Sequence, residues 1–363
     1  MNNPWSNIES MLQEAIDQKI FPGCALSIRH QNKEVFLSGL GKAELYPNER
    51  DATEDTIWDL ASLTKILCTA PLYLKWVNDG IIELEEELAS LLPEVPRGVT
   101  VANCLSHSSG YSNWRPLYAS VLSERDTWSK GTSRKKVIRM ALETPLIAEP
   151  NFEYKYSDLG FIALCAYAEA KLNKQIHILW QEYLPKSARQ GLYWEHPHAA
   201  ATEDCPIRKR MIVGEVHDLN AAAMAGKSSH AGLFGSVSAL TAAASWPLFG
   251  YHGISEDLSQ QIVQHFWEIK GAGSHCLGWD TPSASGSSAS DAWPRNGVGH
   301  LGFTGTSLWI APDLNLVVGF ACNRVHPKVE GGALPGALLG RKTKAYREFR
   351  PRLHEAIIKA ISG

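Results

Sequence analysis

The sequence predicts an α/β fold in which an antiparallel sheet, flanked by helices, is built from both ends of the chain. Strand-like runs occur before residue 41 and return after residue 273, whereas the apolar spacing between them is mostly helical. A sheet formed from both termini makes the intervening segment an insertion. We therefore expect an α/β sheet domain from residues 1–75 and 250–363, and a mainly helical domain from residues 76–249.

The N-terminal elements follow from the spacing of apolar residues. Over residues 5–19 these residues recur at helical intervals, which predicts an amphipathic helix. Cys24–Arg29 and Glu34–Leu40 are β-like runs separated by a polar turn, which predicts a hairpin. Helical spacing returns over Ser62–Asn78.

The C-terminal part has strand signals and a closing helix. Ser274–Trp279, Gly299–Ile310 and Leu314–Cys322 are predicted strands. Residues 281–298 are rich in Ser and Gly, which predicts a mobile loop. Lys344–Ile361 has the spacing of an amphipathic, basic helix.

Composition and charge exclude several classes of protein and of binding partner. Hydrophobic residues make up 44% and charged residues 20% of the 363 positions, which excludes a fibre or a disordered chain. The net charge is −3, so no nucleic-acid partner is expected. No apolar run is long enough to span a membrane, and the N-terminus lacks a secretory signal pattern. We expect a cytoplasmic protein with no membrane partner and leave its oligomeric state open.

Cysteine and histidine patterns give no sign of disulfides or a metal. The seven cysteines are scattered and never spaced CxxC, as in proteins of a reducing compartment. No HExxH motif occurs, and the pair His196 and His198 fits a solvated polar loop better than a metal site. We therefore expect no metal or cofactor, and a metal-dependent hydrolase is a weak alternative.

Two SxxK tetrapeptides occur, and their surroundings distinguish them. Ser62 and Lys65 open an apolar helix, where the lysine lies one turn from the serine on the same face. Apolar surroundings are expected to lower the Lys65 pKa, which would suit a base beside a nucleophile. Taken alone, a capping serine with an incidental lysine is an equal interpretation. Ser133 and Lys136 lie in a charged stretch that fits a solvated helix face.

Two further elements carry polar residues at notable positions. Tyr156 and Asp158 lie two residues apart at the start of an apolar helix, where alone they are more typical of a helix cap. His300 and Gly302 lie in a Gly-rich strand, and glycine in a strand often marks the close approach of a ligand to the backbone.

In this order, the motifs that begin at Ser62, Tyr156 and His300 resemble those of the serine β-lactamase and penicillin-binding protein superfamily. The similarity is to the branch of class C β-lactamases, DD-peptidases and esterases, including muramoyl-peptide amidases, and covers about residues 8–355. It implies a β-lactamase/transpeptidase-like fold with the site between the two domains. Further similar segments are Leu105–Gly110, Gly214–Asp218, His230–Phe234, Gly278–Asp280 and Asn323–Pro327.

The resemblance implies a role for each motif residue. Ser62 would be the nucleophile, and Lys65, alone or with Tyr156, would accept its proton. Tyr156 would return a proton to the leaving group. The oxyanion hole would consist of the backbone N–H groups of Ser62 and Phe303, the residue after Gly302. The substrate would be a muropeptide amide, a small ester or a β-lactam, in that order.

Three positions depart from the better-known relatives. Asp158 replaces the usual Asn, and a carboxylate accepts hydrogen bonds without donating them. His300 and Leu301 replace Lys and Thr, which removes a permanent charge and a hydroxyl that hold a substrate carboxylate. We therefore expect poor reaction with β-lactams, and a carboxylesterase or a weak β-lactamase/DD-peptidase is the second hypothesis.

His217, Trp279, Asn323 and Arg324 are weaker candidates for substrate contact. His217 could contact substrate or make a structural hydrogen bond, and Trp279 could line the site or belong to the core. Asn323 and Arg324 end a strand near where relatives bind substrate anions, although a surface turn is an equal interpretation. A non-catalytic binding or sensor module on the same fold is disfavoured because the catalytic trio is present. An α/β-hydrolase is excluded because no Gly-x-Ser-x-Gly occurs.

Overall fold

The computed structural model describes residues 4–268, 273–330 and 341–362. Its strands are β1 (Gly23–His30), β2 (Lys33–Glu44), β3 (Arg50–Asp51), β4 (Trp58–Asp59), β5 (Leu192–Tyr193), β6 (Asp204–Cys205), β7 (Arg210–Met211), β8 (Phe234–Gly235), β9 (Val298–Gly302), β10 (Thr306–Ala311) and β11 (Leu316–Cys322). Its α-helices are α1 (Ser6–Asp17), α2 (Ala70–Asn78), α3 (Val101–Leu105), α4 (Arg134–Leu142), α5 (Asp158–Leu172), α6 (Ile176–Tyr183), α7 (Leu219–Ala223), α8 (Val237–Tyr251), α9 (Gln260–Glu268) and α10 (Arg341–Ser362).

One six-stranded antiparallel sheet joins the two ends of the chain, in the order β3-β2-β1-β11-β10-β9. The central pair runs from Cys24 opposite Cys322 to His30 opposite Leu316. Every residue of β11 is buried, because helices cover both faces of the sheet. The predicted α/β fold with an antiparallel sheet is confirmed.

Each face of the sheet has its own core. On one face, α1 and α10 pack together, and Phe21 contacts the rings of Phe320 and Phe349 at 5.7 and 5.5 Å between centroids. On the other face, α8 packs against β1 and β11 and continues into the core of the helical region. Of the described helices, none has both the length and the apolar character that a bilayer crossing needs.

Two strand predictions are wrong. Ser274–Trp279 forms turns with an isolated bridge between His275 and Asp280, because its apolar residues are buried in a loop and not in a ladder. Gly299–Ile310 is not one strand but β9 and β10, joined by a tight turn in which Gly305 has φ +116°. Residues 281–297 form neither helix nor strand, and their mobility stays a prediction.

The predicted helix Ser62–Asn78 is not a uniform α-helix. It begins with a 3₁₀ turn at Ala61–Leu63, continues as a π-helical turn at Lys65–Thr69 and becomes α-helical only in α2. Such turns are frequent at functional sites because they reorient side chains. The irregular part coincides with the SxxK motif.

Candidate active site

The backbone before Ser62 is held in an unusual conformation. Ala61 has φ +47°, in the left-handed region that costs a non-glycine residue about 1–2 kcal/mol. The Asp59 carboxylate accepts the Ala61 N–H at 2.8 Å and the His217 N–H at 2.6 Å. Asp59 is buried, which raises its pKa despite these two bonds. This carboxylate therefore fixes the turn that presents the half-buried Ser62.

Lys65 has a complete set of acceptors although it is fully buried. Its Nζ donates to Ser62 Oγ at 3.1 Å, to Asp158 Oδ1 at 2.7 Å and to the His230 carbonyl at 3.2 Å. Burial lowers the Lys65 pKa, but the Asp158 carboxylate and Tyr156 more than offset this, and the net pKa is raised. The expectation of a lowered pKa is wrong, and Lys65 rests as an ammonium ion.

Tyr156 lies between the lysine and a histidine. The Lys65 Nζ is 5.0 Å from the Tyr156 ring centroid, and the His107 ring is 4.5 Å away between centroids. Burial raises the Tyr156 pKa, whereas interactions with Lys65 and Ser62 lower it, and the net pKa is raised. Ser157 caps α5 by accepting the Gly160 N–H at 3.2 Å, which fixes the backbone between Tyr156 and Asp158.

The turn between β9 and β10 docks against the segment that precedes Ser62. Thr304 Oγ1 donates to the Asp59 carbonyl at 2.7 Å, and Thr306 Oγ1 donates to the Leu60 carbonyl at 3.1 Å. A Cβ at Gly302 would lie 2.8 Å from the Leu60 carbonyl oxygen, so only glycine fits there. Phe303 follows and is 47% exposed. The segment predicted to supply the oxyanion donor thus lies against the nucleophile's segment.

Three histidines from separate segments meet beside Tyr156. His107, His275 and His300 are buried, and one ring nitrogen of each lies within 4.8 Å of the others. Burial lowers all three pKa values, that of His275 to about 3, and the nearby Lys65 charge acts in the same direction. All three imidazoles are therefore neutral at pH 7.

The hydrogen bonds of these histidines do not suit a metal. His107 Nδ1 accepts the Ser157 backbone N–H at 3.0 Å, so a neutral His107 carries its proton on Nε2, which then cannot ligate. His300 Nδ1 lies 2.7 Å from the Leu301 carbonyl and must donate to it, which leaves Nε2 as an acceptor. A mixed set of donors and acceptors is a polar cluster around Tyr156 and not a three-nitrogen ligand set.

Of the three weaker candidates His217, Trp279 and Asn323, two have structural contacts and one stays a candidate for substrate contact. Trp279 is buried and packs on Trp267 at 6.0 Å between ring centroids, as a core residue does. The buried Asn323 accepts the Gly23 N–H at 3.1 Å and donates to the carbonyls of Lys42 and Ala43. These bonds favour a structural role for Asn323. His217 remains a candidate because it stacks on Phe303 at 5.5 Å.

Sequence reasoning gave no role to Asp59, His107 or His275. Asp59 could have been found as a charged residue in the apolar run before the nucleophile. His107 lies in a segment noted only for resemblance, and His275 lies in a strand that does not form. No local pattern joins these histidines, since the fold alone brings them together.

Comparisons with known proteins agree with this geometry. The Beta-lactamase family profile matches residues 8–340. The chain is 25% identical to the N-acetylmuramyl-L-alanine amidase of Bacillus subtilis (strain 168), over 93% of this chain and 86% of the relative. It is 24% identical to a putative D-alanyl-D-alanine carboxypeptidase of Escherichia coli (strain K12), over 88% and 85%.

Solved structures show the same fold. EstCE1, a hydrolase with promiscuous acyltransferase activity, superposes with a TM-score of 0.74 at 15% identity, covering 96% of this chain and 98% of that one. The octameric penicillin-binding protein homologue from Pyrococcus abyssi gives a TM-score of 0.67 at 19% identity, covering 89% and 74%. The expected β-lactamase/transpeptidase-like fold is confirmed.

Proposed function

Because the chain belongs to the beta-lactamase family and is a serine hydrolase, we propose that it cleaves an amide bond of cell-wall (muropeptide) fragments through an acyl-enzyme on Ser62. The observation that carries this proposal is the buried array in which Lys65 Nζ joins Ser62 Oγ and Asp158. Such an array supplies a nucleophile and a partner for its proton. The N–H groups of Ser62 and Phe303 are the proposed oxyanion donors.

The protonation states of Lys65 and Tyr156 at rest determine how the reaction proceeds. At rest, Lys65 is an ammonium ion and the Tyr156 hydroxyl is neutral, because both pKa values are raised. This pair becomes a base only after it loses one proton, so activity rises with pH. Ser62 Oγ then attacks the carbonyl carbon as its proton passes to the pair. Tyr156 donates that proton to the departing amine, and water releases the acyl group by the reverse proton movements.

Two observations support the proposed ranking of the candidate substrates. The named amidase relative acts on a muramyl–alanine amide, and the similarity covers most of both chains. His300 is buried and neutral, and Leu301 has no hydroxyl, so the carboxylate contact of the better-known relatives is missing. This second observation favours carboxylesterase activity as the second candidate and places β-lactams last.

A label and three substrates test the proposal. A fluorophosphonate should modify wild-type protein at Ser62 by peptide mapping, and Ser62→Ala should remain unlabelled. Wild-type protein should release L-alanine from muramoyl-L-alanine and hydrolyse 4-nitrophenyl butyrate faster, in kcat/KM, than nitrocefin. A label elsewhere, or no label, would show that Ser62 is not the nucleophile. Faster nitrocefin hydrolysis would reverse the substrate order.

A cytoplasmic location is part of the proposal. All seven cysteines are buried free thiols, including Cys24 and Cys322, which lie opposite each other on neighbouring strands. Thiols in such positions persist in a reducing compartment. Fractionation of cells that express the protein at its native level should find it with cytoplasmic markers, and recovery outside the inner membrane would contradict this location.

A further inference from the structure

The side chain of His217 lies against the residue proposed to supply the second oxyanion donor. Its ring stacks on the Phe303 ring, at 5.5 Å between centroids and 25° between the ring planes. The His217 Nε2 lies 3.2 Å from Glu203 Oε2, and both of these side chains are largely buried. The carboxylate restricts the positions that the imidazole can take, so the His217 ring is a fixed surface beside Phe303.

The backbone of His217 is held at both of its polar groups. Its N–H donates to Asp59 Oδ2 at 2.6 Å, and its carbonyl accepts from the Arg208 guanidinium at 2.9 Å. The other oxygen of the Asp59 carboxylate accepts the N–H of Ala61, the residue before Ser62, at 2.8 Å. One carboxylate therefore joins the His217 backbone to the turn that presents the nucleophile.

The Phe303 side chain is the less firmly held part of the turn between β9 and β10. The bond from Thr304 Oγ1 to the Asp59 carbonyl fixes the backbone that follows Phe303, whereas Phe303 itself is 47% exposed. The φ and ψ angles of a residue and the rotamer of its side chain depend on each other, so a supported ring also restricts the direction of the backbone N–H. The His217 ring supplies such a support beside the proposed oxyanion donor.

We propose that His217 is a positioning residue whose stacked ring holds Phe303 in place, so that the Phe303 and Ser62 N–H groups point at one oxyanion. The inference rests on the proposed function, because it takes these two groups as the oxyanion donors. An oxyanion hole works only if its donors are preorganised, and a displacement of about 1 Å can cost about 10²-fold in rate. In this role His217 touches no reacting atom, and its ring, rather than its nitrogens, carries the effect.

An ester and its thionoester measure the oxyanion contact. 4-Nitrophenyl butyrate develops negative charge on oxygen during attack, whereas its thiono analogue develops it on sulfur, which is a weak hydrogen-bond acceptor. His217→Ala should lower kcat for the ester and change KM little. The ester-to-thionoester ratio of kcat should fall about 10-fold or more, because only the ester depends strongly on the misplaced donor. His217→Phe should keep most of the ratio, since it keeps a stacked ring.

His196→Ala is the matched control. His196 is also a half-buried histidine beside an exposed aromatic residue, since its ring lies 5.0 Å from the Tyr193 ring between centroids. The ratio should keep its wild-type value in this variant, and a fall equal to that in His217→Ala would overturn the proposal. An unchanged ratio in His217→Ala would also overturn it. A rise in KM with equal losses for ester and thionoester would make His217 a substrate contact instead.

A second variant covers the case in which His217→Ala does not fold. Phe303→Ala keeps the backbone N–H but removes the ring that His217 supports, so the ratio should fall by a similar factor. A wild-type ratio in Phe303→Ala, or a ratio in His217→Phe as low as in Phe303→Ala, would overturn the proposal.

The double variant His217→Ala/Phe303→Ala completes the test. Its ratio should fall no further than in either single variant, because both remove the same ring contact. Independent, additive losses would overturn the proposal. Failure of this inference leaves Ser62 labelling intact, whereas failure of the proposed function abolishes labelling, so the two are distinguishable.

Discussion

Positive charge is held in different ways on two sides of the site. On the catalytic side, Lys65 is fully buried, donates to three acceptors and forms an ion pair with Asp158. On the arginine side, Arg324 and Arg350 lie over one Tyr346 ring, and neither forms an ion pair within the described parts of the chain. The two sides meet at the turn that carries Phe303.

This difference in charge pairing indicates that the two sides of the site have different roles. A buried cation with a fixed carboxylate has its protonation state set by the protein, as a proton-transfer group requires. A partly buried cation without a carboxylate keeps its attraction for an anion that arrives from solution. The positive charge of Lys65 is therefore paired within the protein, whereas those of Arg324 and Arg350 have only ring contacts among the described residues.

Removal of the paired lysine should have the largest effect. Lys65→Ala should lower kcat/KM for 4-nitrophenyl butyrate by about 10²–10⁴, the usual contribution of a general base. Lys136→Ala is the control, since exposed Lys136 of the second SxxK donates to the Ser120 backbone carbonyl at 3.0 Å and not to a serine of its own motif. Equal rate losses from the two variants would mean that the charge pairing of Lys65 has no catalytic role.

Loss of the carboxylate that holds the nucleophile turn should come next. Asp59→Ala should lower kcat by about 10², because a small displacement of the nucleophile is enough for such a loss. KM should change little, and Asp59→Asn should restore part of kcat, since it retains one acceptor oxygen. Glu86→Ala is the control, because it breaks an ion pair with Lys171 at the far end of α5. If KM rises while kcat holds, Asp59 does not position Ser62.

Neutralising the partner of Lys65 should shift the pH profile. The ion pair raises the Lys65 pKa, so in wild-type protein the active, deprotonated pair forms only at high pH. Asp158→Asn lowers that pKa and should move the rising limb of kcat/KM to lower pH by about one pH unit, or about 10-fold in rate on that limb. The exposed Glu143, which pairs with Arg139, supplies the control Glu143→Gln. A shift to higher pH in Asp158→Asn would contradict this assignment.

The smallest expected effect concerns stability and uses one histidine from each side. Burial lowers the pKa of His275 and of His354 to about 3, against 6.5 for a free side chain. Below pH 6.5 the unfolded chain binds protons that the folded chain excludes, so the free energy of unfolding falls as pH drops toward 3. Each histidine contributes a slope of at most about 1.4 kcal/mol per pH unit.

Urea unfolding at several pH values between about 7 and 4.5 measures this slope. His354→Gln should reduce the slope and leave kcat unchanged, because His354 lies on the buried face of α10 and packs on Trp293. His275→Gln should reduce the slope by a similar amount. If both variants retain the wild-type slope, the two histidines are not neutral in the folded protein.

The features that the sequence predicts correctly are those set by residues close together in the chain. The hairpin of β1 and β2 and the shared face of Ser62 and Lys65 depend on neighbours within a few residues. The Lys65 pKa does not, because Asp158 is 93 residues away along the chain. Its direction was predicted wrongly from apolar neighbours alone, since the deciding partner is brought in by the fold.

The absence of a local sequence pattern also explains the other features that the sequence does not predict. His107, His275 and His300 come from three segments, and no spacing rule connects them. Arg324 is a candidate in sequence only through its place at a strand end, and its two aromatic contacts are not evident there because the rings belong to a turn and to α10. A buried loop such as Ser274–Trp279 has the apolar content of a strand without the ladder, and composition does not separate the two.

The position of β11 beside β1 has a consequence for synthesis on the ribosome. β1 ends at His30, and its central partner is complete only at Cys322. At about 5–20 residues per second, the nascent chain carries an unpaired β1 edge for about 15–60 s. The turn that docks on Asp59 and Leu60 also emerges late, so hydrolytic competence arises only when most of the chain has been translated. An unpaired strand edge of this kind is a natural target for chaperones, which shield it from pairing with other chains.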